Sequence, residues 1–258
     1  MNKKDNEPYK SWLINGLYCL LYKELSSTNL TGIALMNTGK IAGSSAIISD
    51  SQINGRGQLR TKWHASPEKN LTFSIVIPKL KLNVLNQFKL NKAFCLAVHY
   101  TLLPYCDDLK IKWPNDIYYK DQKLGGILIE NQIQGNSIKS CVIGLGLNIN
   151  EDYWPDDLLN PVSLKEISKS NFDIEKLQNE FPIKIFNSFT EFFNKSASSI
   201  DKLYHELLYG INEWRRFQDE DNEFEGRIIG TNGLGNLSVE NKKGTVKHYP
   251  LKSIRFIF

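Results

Sequence analysis

The alternation of apolar and polar residues predicts a series of short strands in the first 150 positions. Leu71–Ile75 alternates strictly between apolar and polar side chains, which is typical of a half-buried strand. Glycine, proline and asparagine clusters separate it from similar runs on either side. The predicted strands are 18–25, 43–49, 71–75, 109–113, 123–131 and 138–147.

Apolar residues at helical spacing predict helices between and after these strands. The residues Ser26–Asn29 have the chemistry of a helix start, and apolar positions between Leu90 and Leu102 fall on one helical face. A third helix is predicted from Ile174 to Phe192. Pro182 lies within it and is expected to break or kink the helix, because proline lacks an N–H and clashes with the preceding turn.

The pattern changes near Glu223 to short β-like runs separated by glycines. These runs are 226–229, 234–240, 245–249 and 253–258, and they predict a small β-barrel. The fold class is therefore expected to be α+β, a mixed sheet with packed helices followed by a C-terminal β module. We expect two domains, 1–222 and 223–258.

Composition limits the possible classes of protein. The chain has 258 residues, 41% of them hydrophobic, and a net charge of +4, so it can bury a core without metal or disulfides. Four widely spaced cysteines in apolar stretches favour buried, reduced thiols. The segment Trp12–Tyr22 is too short and too interrupted to cross a membrane. We therefore expect a cytoplasmic protein.

Three segments could carry chemistry. The first, Gly55–Arg60, has the sequence Gly-Arg-Gly-Gln-Leu-Arg, in which the glycines allow close approach to a phosphate and the arginines neutralise it. It is not a dinucleotide fingerprint, because Arg60 occupies the position of the third glycine. Taken alone, this segment is more consistent with a flexible basic turn than with a phosphate site.

The second segment joins Lys112–Ile117, Lys-Trp-Pro-Asn-Asp-Ile, to Lys123–Glu130, Lys-Leu-Gly-Gly-Ile-Leu-Ile-Glu. A lysine that enters an apolar strand beside two glycines suits an anionic ligand lying against the backbone. The alternative is a simple turn, with Lys123 extending outward to solvent. The third segment, Gly144–Asn150, contains glycines that close strand packing alone would explain.

Taken together and in order, these segments resemble the biotin–protein ligase family. The resemblance includes Ser27–Asn29, Gln52, Trp63, Ser66–Pro67 and Asn70–Leu71 as well as the three segments, and it covers roughly residues 20–150. It implies a biotin/lipoate ligase fold, similar to class II synthetases, with an SH3-like C-terminal barrel. It also implies ATP-dependent formation of biotinyl-5'-AMP and transfer to a lysine of a biotin carboxyl carrier protein.

The resemblance implies roles for individual residues. Biotin would contact Ser27, Thr28, Asn29, Gln52, Arg56, Gly57, Gln58, Lys123 and Gly126. The nucleotide would contact Arg56, Lys112, Asn115, Lys123 and Asn148. Lys123, Arg56 and Asp116 would be the catalytic residues, with Asp116 helping to position the acceptor lysine or Mg²⁺. ATP and Mg²⁺ are thus expected with biotin, and Mg²⁺ would be held mainly by the ATP phosphates.

Two departures from the family pattern affect these expectations. Arg60 and Thr61 replace the glycine and polar neighbour that usually end the glycine-rich loop, so the loop conformation is not predicted. About 20 residues precede the first catalytic strand, too few for the DNA-binding domain of some members. We therefore expect a ligase-only form with no specific DNA partner. The sequence leaves open whether the chain forms a homodimer.

Two other functions fit parts of the sequence. A lipoate ligase shares the fold and the adenylate chemistry. A nucleic-acid-binding module, with the β tail as a small basic barrel, is suggested by Arg227, Lys242, Lys243, Lys247, Lys252 and Arg255. Few aromatic residues are interleaved with these charges, which argues against stacking on bases.

Overall fold

The fold is described from a computed structural model, which covers residues 7–58, 61–220 and 222–257. Within these ranges the chain forms a large mixed sheet, five helices and a second, smaller sheet. The strands of the large sheet are β1 Lys10–Ile14, β2 Leu17–Leu25, β3 Ser45–Gln52, β4 Leu71–Ile77, β5 Leu82–Asn83, β6 Leu109–Lys112, β7 Asp116–Tyr119, β8 Gln122–Gln134 and β9 Ser137–Leu147.

The order of strands across the large sheet is β1-β2-β3-β4-β9-β8-β7-β6, with β5 beside β9. Only β2 and β3 run parallel among the described pairs, because helix α1, Thr28–Asn37, carries the chain back between them. The remaining neighbours are antiparallel, so the predicted mixed sheet is confirmed.

Side chains that alternate along the strands cover both faces of this sheet. On one face, Ile48, Ile75 and Ile143 pack in the main core with α2, Phe88–Leu102, and α4, Ile174–Asn194. On the other face, Ile47, Val76 and Val142 pack against α1. The two remaining helices are α3 Leu164–Ser168 and α5 Ala197–Glu206. Both faces are buried, which fixes the register of the central strands.

Of the two effects expected of Pro182, a break does not occur, because α4 continues through it to Asn194, and a kink stays a prediction. The proline is buried between Phe181 and Ile185 on the face that packs in the main core. Burial of this apolar face is worth more than the single hydrogen bond that proline removes.

The small sheet has the order β13-β12-β11-β10-β14. Its strands are β10 Trp214–Gln218, β11 Glu223–Thr231, β12 Leu237–Asn241, β13 Val246–Tyr249 and β14 Arg255–Phe256. The C-terminal β module is confirmed, whereas no β13–β14 pairing closes a barrel among the described residues. The boundary at residue 223 stays a prediction, and the small sheet already includes Trp214–Gln218.

Hydrogen bonds connect the small sheet and its loops to the rest of the chain. The Trp113 indole, between β6 and β7, donates to the Gly235 carbonyl at 2.9 Å, and His205 on α5 accepts from the Thr231 amide of β11 at 3.0 Å. The four cysteines are buried and reduced, as predicted. None of the helices in the described part of the chain is long and apolar enough to cross a bilayer.

Candidate active site

A cavity of about 220 Å³ lies where the start of α1, residues 53–69 and strands β7, β8 and β9 meet. We call it the main cavity and residues 53–69 the glycine loop. Most of the predicted site residues line this cavity: Ser27, Thr28, Asn29, Gln52, Arg56, Gly57, Gln58, Asn115, Asp116, Lys123 and Gly126. The structure therefore brings together residues that are nearly 100 positions apart in the sequence.

One wall of the main cavity is a buried, uncharged hydrogen-bond network. The Thr28 amide donates to Gln52 Oε1 at 2.9 Å, and Ser74 Oγ donates to Asn29 Oδ1 at 2.6 Å. Ser27 caps α1 without a hydrogen bond from its own side chain to the helix, so its hydroxyl stays available at the wall. All of these side chains except Gln52 are nearly inaccessible to solvent, so they are held in place before any ligand binds.

Gly144 makes room for this wall. A Cβ atom at position 144 would overlap the Asn29 side-chain amide, which donates to Glu130 Oε2 at 2.8 Å. A glycine is therefore required at position 144 of β9, because the Asn29 side chain of α1 occupies the space next to it. We call the set Thr28, Asn29, Gln52, Ser74 and Gly144 the polar wall.

Apolar groups form the next part of the cavity. The Trp63 indole lies so close to Gly146 that a Cβ at 146 would overlap it, and Ile127, Leu128 and Leu145 complete this surface. Trp63 Nε1 is buried and has no hydrogen-bond partner among the described residues. A buried donor without a partner is unusual and suits a ligand acceptor. Trp63 was noted in the sequence only as a family match.

The glycine loop forms a further wall beside the polar wall, where a Cβ at Gly55 would lie 2.9 Å from the Gln52 side-chain nitrogen. It folds back on itself through hydrogen bonds from the Gly57 amide to the Thr61 carbonyl, 2.7 Å, and from the Trp63 amide to the Gly55 carbonyl, 2.9 Å. Arg56 is 42% exposed and pairs with Glu130 at 3.0 Å. The predicted effect of Arg60 falls outside the described residues.

Thr61, the second departure from the family pattern, has a structural role in the glycine loop. Its hydroxyl donates to the Gln58 carbonyl at 2.9 Å. A Cβ at Gly57 would overlap the same hydroxyl. Gly57 and Thr61 therefore fit one another closely, and together they close the turn at the loop tip.

The charged end of the main cavity contains an ion pair. Lys123 Nζ lies 2.8 Å from Asp116 Oδ1 on the neighbouring strand β7, and both side chains are partly exposed. A Cβ at Gly126 would lie 3.3 Å from Asp116 Oδ1 and 3.4 Å from Lys123 Nζ, tighter than almost all real contacts. Gly126 thus leaves space around the ion pair.

Lys112 is not on the wall of the main cavity. Its ammonium lies 3.1 Å from the Tyr118 hydroxyl and 5.1 Å from the centre of the Phe256 ring. Burial lowers the pKa of Lys112 to about 8, while nearby Asp116 opposes this change and Lys123 adds to it. The predicted contact of Lys112 with the nucleotide therefore stays a prediction. Lys112 is paired in register with Asp116, which does line the cavity.

A second cavity of about 80 Å³, the side cavity, adjoins the main one. Lys62, Trp63 and Lys123 line both cavities, and Asn148 and Trp154 line only the side cavity. The Asn148 amide donates to the carbonyls of Lys123, 3.2 Å, and Val162, 3.0 Å. Asn148 therefore braces the strand that carries Lys123.

Glu151, which the sequence did not single out, anchors the end of the glycine loop. It is fully buried and accepts hydrogen bonds from the Ser66 amide, 3.0 Å, and from Asn70, 2.8 Å. Burial alone would raise its pKa, but hydrogen bonds from Ser66, Asn70 and the Tyr153 amide bring the pKa below its ordinary 4.5. The carboxylate is therefore ionised at neutral pH.

No group of three or more histidine, cysteine, aspartate or glutamate side chains is placed to hold a metal within the described ranges. Mg²⁺ is usually bound by one or two carboxylates, water and substrate phosphates. Asp116, at the cavity wall beside Lys123, fits such a single-carboxylate site.

Three of the six basic residues that suggested a nucleic-acid-binding module pair with nearby carboxylates. Arg227 pairs with Glu240, Lys242 with Glu225, and Lys247 with Asp219. Lys252 differs from them because it lines the main cavity. This arrangement does not favour a continuous basic surface for nucleic acid.

Comparison with known proteins agrees with the geometry. Residues 22–148 match the model of the Biotin/lipoate A/B protein ligase family. The chain is 27% identical over 235 residues to the bifunctional ligase/repressor BirA of Bacillus spizizenii, covering 89% of this chain and 72% of that protein. It is 30% identical over 216 residues to biotin–protein ligase 2 of Arabidopsis thaliana, covering 81% of this chain and 63% of that protein.

Solved structures show the same fold. A biotin protein ligase from Aquifex aeolicus in complex with biotin and ATP superposes with a TM-score of 0.72 at 23% identity, covering 95% of this chain and 100% of that chain. A biotin protein ligase from Leishmania major in complex with biotin gives a TM-score of 0.61 at 21% identity, covering 93% of this chain and 100% of that chain.

Proposed function

The chain carries a domain of the biotin/lipoate A/B protein ligase family, and from this premise we propose that it uses ATP to activate biotin and transfers it to a protein lysine. The product of the first step is biotinyl-5'-AMP, and the acceptor is a biotin carboxyl carrier protein or domain. The observation that carries the proposal is the main cavity, in which an uncharged polar wall, an apolar surface and a cationic end follow one another.

The polar wall suits the ureido ring of biotin, which offers two N–H donors and one carbonyl acceptor. Ser27 and Thr28 present hydroxyls, Asn29 and Gln52 present amides, and the wall is already ordered by its own hydrogen bonds. The apolar surface of Trp63, Ile127 and Leu145 suits the valerate chain. The biotin carboxylate then lies toward Lys123.

This polar wall favours biotin over lipoate. The dithiolane ring of lipoate carries no hydrogen-bond donor, so it would cover the wall without pairing with the polar groups that would otherwise bind the ureido ring. Leaving such groups unpaired costs about 1–3 kcal/mol each. A site built for hydrogen bonds therefore discriminates strongly against a ligand that lacks them.

In the first step, a biotin carboxylate oxygen attacks the α-phosphorus of ATP and the bond to pyrophosphate breaks. Two anions approach each other, so cations contribute more than a general base. Lys123 and Arg56 line the same cavity and stabilise the charge on the transferring phosphate. Their present partners, Asp116 and Glu130, hold both cations in place without ligand.

Asp116 is the residue that would hold Mg²⁺ together with the ATP phosphates, and the ion would neutralise part of the polyphosphate charge. The nucleotide extends from Lys123 toward the side cavity, where the Trp154 ring and Leu158 offer an apolar surface for a flat base. Asn148 supports this region, because its side-chain amide donates a hydrogen bond to the Lys123 carbonyl.

In the second step, the acceptor lysine attacks the activated carbonyl carbon, and AMP leaves with the bonding electron pair. Water would destroy the adenylate, so the glycine loop must cover it. Arg56 lies in that loop at the cavity wall and suits the adenylate phosphate, whereas the Gly57 amide already donates to the Thr61 carbonyl. Asp116 is near enough to the cavity to orient the incoming ammonium of the acceptor.

The proposal is tested by incubating the protein with biotin, Mg²⁺-ATP and a biotin carboxyl carrier domain. Mass spectrometry of the acceptor should show one biotinyl group on one lysine, and an acceptor with that lysine changed to arginine should stay unmodified. Modification by lipoate but not by biotin would reject the proposed substrate. The expected cytoplasmic location, the lack of specific DNA binding and a possible homodimer stay predictions.

A further inference from the structure

The segment between β6 and β7 carries Asp116 to the wall of the main cavity, together with Pro114 and Asn115. Asn115 is tied to β8 in two ways. Its carbonyl accepts from the Ile127 amide at 3.1 Å, and its side-chain amide donates to the Ile127 carbonyl. Pro114 has no N–H of its own, so its position depends on what its carbonyl contacts.

The Pro114 carbonyl accepts hydrogen bonds from two different helices. The Asn91 side-chain amide of α2 donates to it at 2.6 Å, and the Tyr204 hydroxyl of α5 donates to it at 2.7 Å. A carbonyl oxygen has two lone pairs, and both are used here. Asn91 is only 8% exposed and Tyr204 is fully buried, so water does not compete for these bonds.

Both donors are permanent at neutral pH. Burial raises the pKa of Tyr204 well above 10.0, so its hydroxyl keeps the proton that it donates, and the Asn91 amide does not titrate. One hydrogen bond would satisfy a buried carbonyl. Two donors on separate helices fix its direction as well, and a fully paired buried network of this kind is rigid.

Neither helix reaches the ligand space itself. No described residue of α2 or α5 lines the main cavity, so Asn91 and Tyr204 lie behind its wall. Asp116 is the first residue of β7, two positions after Pro114, and its carboxylate lies 2.8 Å from Lys123 Nζ. A shift of the Pro114 carbonyl would turn the following peptides and move this carboxylate relative to Lys123.

We propose that Asn91 and Tyr204 are positioning residues for Asp116: through the Pro114 carbonyl, they hold the Asp116 carboxylate where the acceptor lysine arrives. This inference rests on the proposed function. It assigns α2 and α5 a role in the transfer step, although neither helix contacts a ligand. Biotin binding should not depend on this pair, because the polar wall lies on other elements.

The test uses two variants that each remove one donor in the full chain. Tyr204→Phe keeps the ring and loses the hydroxyl, and Asn91→Leu replaces the amide with an apolar group of similar size. Tyr249→Phe is the matched control, because Tyr249 is also buried and its hydroxyl donates to Asp219 at 3.2 Å, away from the main cavity.

Two measurements separate positioning from folding. Transfer of biotin from purified biotinyl-5'-AMP to the carrier domain, without ATP or Mg²⁺, isolates the second step. Calorimetric titration with biotin gives the affinity and the fraction of protein that binds. Hydrogen exchange at the Ile127 amide, which is bonded to the Asn115 carbonyl, reports on the cavity wall without any catalysis.

Each single variant should slow transfer about tenfold, since a misplacement of about 1 Å can cost up to about a hundredfold in rate. Biotin affinity and stoichiometry should equal those of wild type, and Tyr249→Phe should leave transfer unchanged. The Ile127 amide should exchange faster in Tyr204→Phe. In an Asp116→Asn background, Tyr204→Phe should slow transfer by less than about twofold more, because the group that it positions is already absent.

Wild-type rates of transfer in both folded variants would overturn the inference. A full tenfold further loss in the Asp116→Asn background would do so too, because it would mean that Tyr204 acts independently of Asp116. A parallel loss of biotin affinity would show a general structural role instead. If the wild-type protein itself transfers no biotin from the adenylate, the proposed function fails, and no variant is needed to recognise that result.

Discussion

The two walls of the main cavity are built differently. The polar wall is buried except for Gln52, and its side chains on α1, β3 and β4 are hydrogen-bonded to one another. The two ends of the glycine loop are tied to neighbouring segments by hydrogen bonds such as those from the Ile53 amide to the Leu25 carbonyl and from the Ser66 amide to Glu151, whereas Arg56 is held by a partly exposed ion pair with Glu130. In the proposed function, the buried wall would receive the uncharged ring, and the more exposed loop would close over the charged part of the ligand.

Glu130 connects the two walls. Its Oε2 accepts from Asn29 of the polar wall at 2.8 Å, and its Oε1 accepts from Arg56 of the glycine loop at 3.0 Å. A ligand that shifts Asn29 would therefore also change the environment of Arg56. In the proposed function, a biotin molecule bound at Asn29 would thus affect the position of Arg56 through Glu130.

The largest expected effect comes from the charged end of the cavity. Lys123→Met should slow adenylate formation about a hundredfold, since losing one aimed cation costs ~3 kcal/mol of transition-state stabilisation. Pyrophosphate exchange measures this rate, and Lys139→Met on the exposed face of β9 is the matched control. A near-normal rate in folded Lys123→Met would place the chemistry elsewhere.

The next effect tests the anchor of the glycine loop. Glu151→Gln should lower the free energy of unfolding by about 1.5–3 kcal/mol at pH 7, because hydrogen bonds to a buried charge are lost. Urea denaturation measures this change, and the exposed Glu206→Gln should leave stability unaltered. Equal stability of the two variants would show that Ser66 and Asn70 do not depend on the carboxylate.

The pH dependence of the Glu151 contribution follows from its lowered pKa. The unfolded chain takes up a proton at this group near pH 4.5, whereas the folded chain does so only at lower pH. The stabilisation is therefore complete above pH 4.5 and is lost as the pH falls through the folded pKa. The difference between wild type and Glu151→Gln should shrink over that acidic range, and a constant difference would contradict this assignment.

Gly144→Ala tests whether the polar wall is preformed. The added methyl group must displace the Asn29 amide, so we expect a loss of about 1–3 kcal/mol in stability. Biotin affinity should fall by about tenfold, whereas ATP binding should change less. Gly43→Ala is the control, because open space surrounds that position. Calorimetric titration with biotin would contradict the preformed wall if the variant bound as tightly as wild type.

Glu130→Gln should have the smallest effect on stability, within about 1 kcal/mol, because its pair with Arg56 is partly exposed. The amide oxygen still accepts from Asn29, but the charge that holds Arg56 is gone. Limited proteolysis should therefore cut faster at Arg56 and Lys62 than in wild type. Biotin with Mg²⁺-ATP should protect both proteins, and equal cleavage with and without these ligands would show that the loop is not a lid.

Alternating runs such as Leu71–Ile75 predicted strands correctly, because burial of one face requires a period of two. Strand β1 was missed, since its five residues are mostly exposed and follow no clear alternation. Helix α5 was missed for a similar reason, because it buries only Ile200 and Tyr204. Short elements with few buried positions leave little pattern in a sequence.

The candidate site was predicted through the resemblance more than through physics. Residues such as Gln52 and Asp116 carry no local signal, and only the order of the motifs placed them together. Glu151 was not predicted as a site residue, because its partners Ser66 and Asn70 lie more than 80 positions away in the sequence. Their contact is formed only in the folded chain. In the sequence, Lys252 was only one of several basic residues of the C-terminal region. Only the folded structure shows that it lines the main cavity.

The most direct test of the account is biotin-dependent exchange of labelled pyrophosphate into ATP in the absence of any acceptor protein. We predict that exchange requires biotin and Mg²⁺-ATP, and that lipoate cannot replace biotin because it leaves the polar wall unpaired. Exchange supported by lipoate but not by biotin, or no exchange with either acid in the folded protein, would contradict the account.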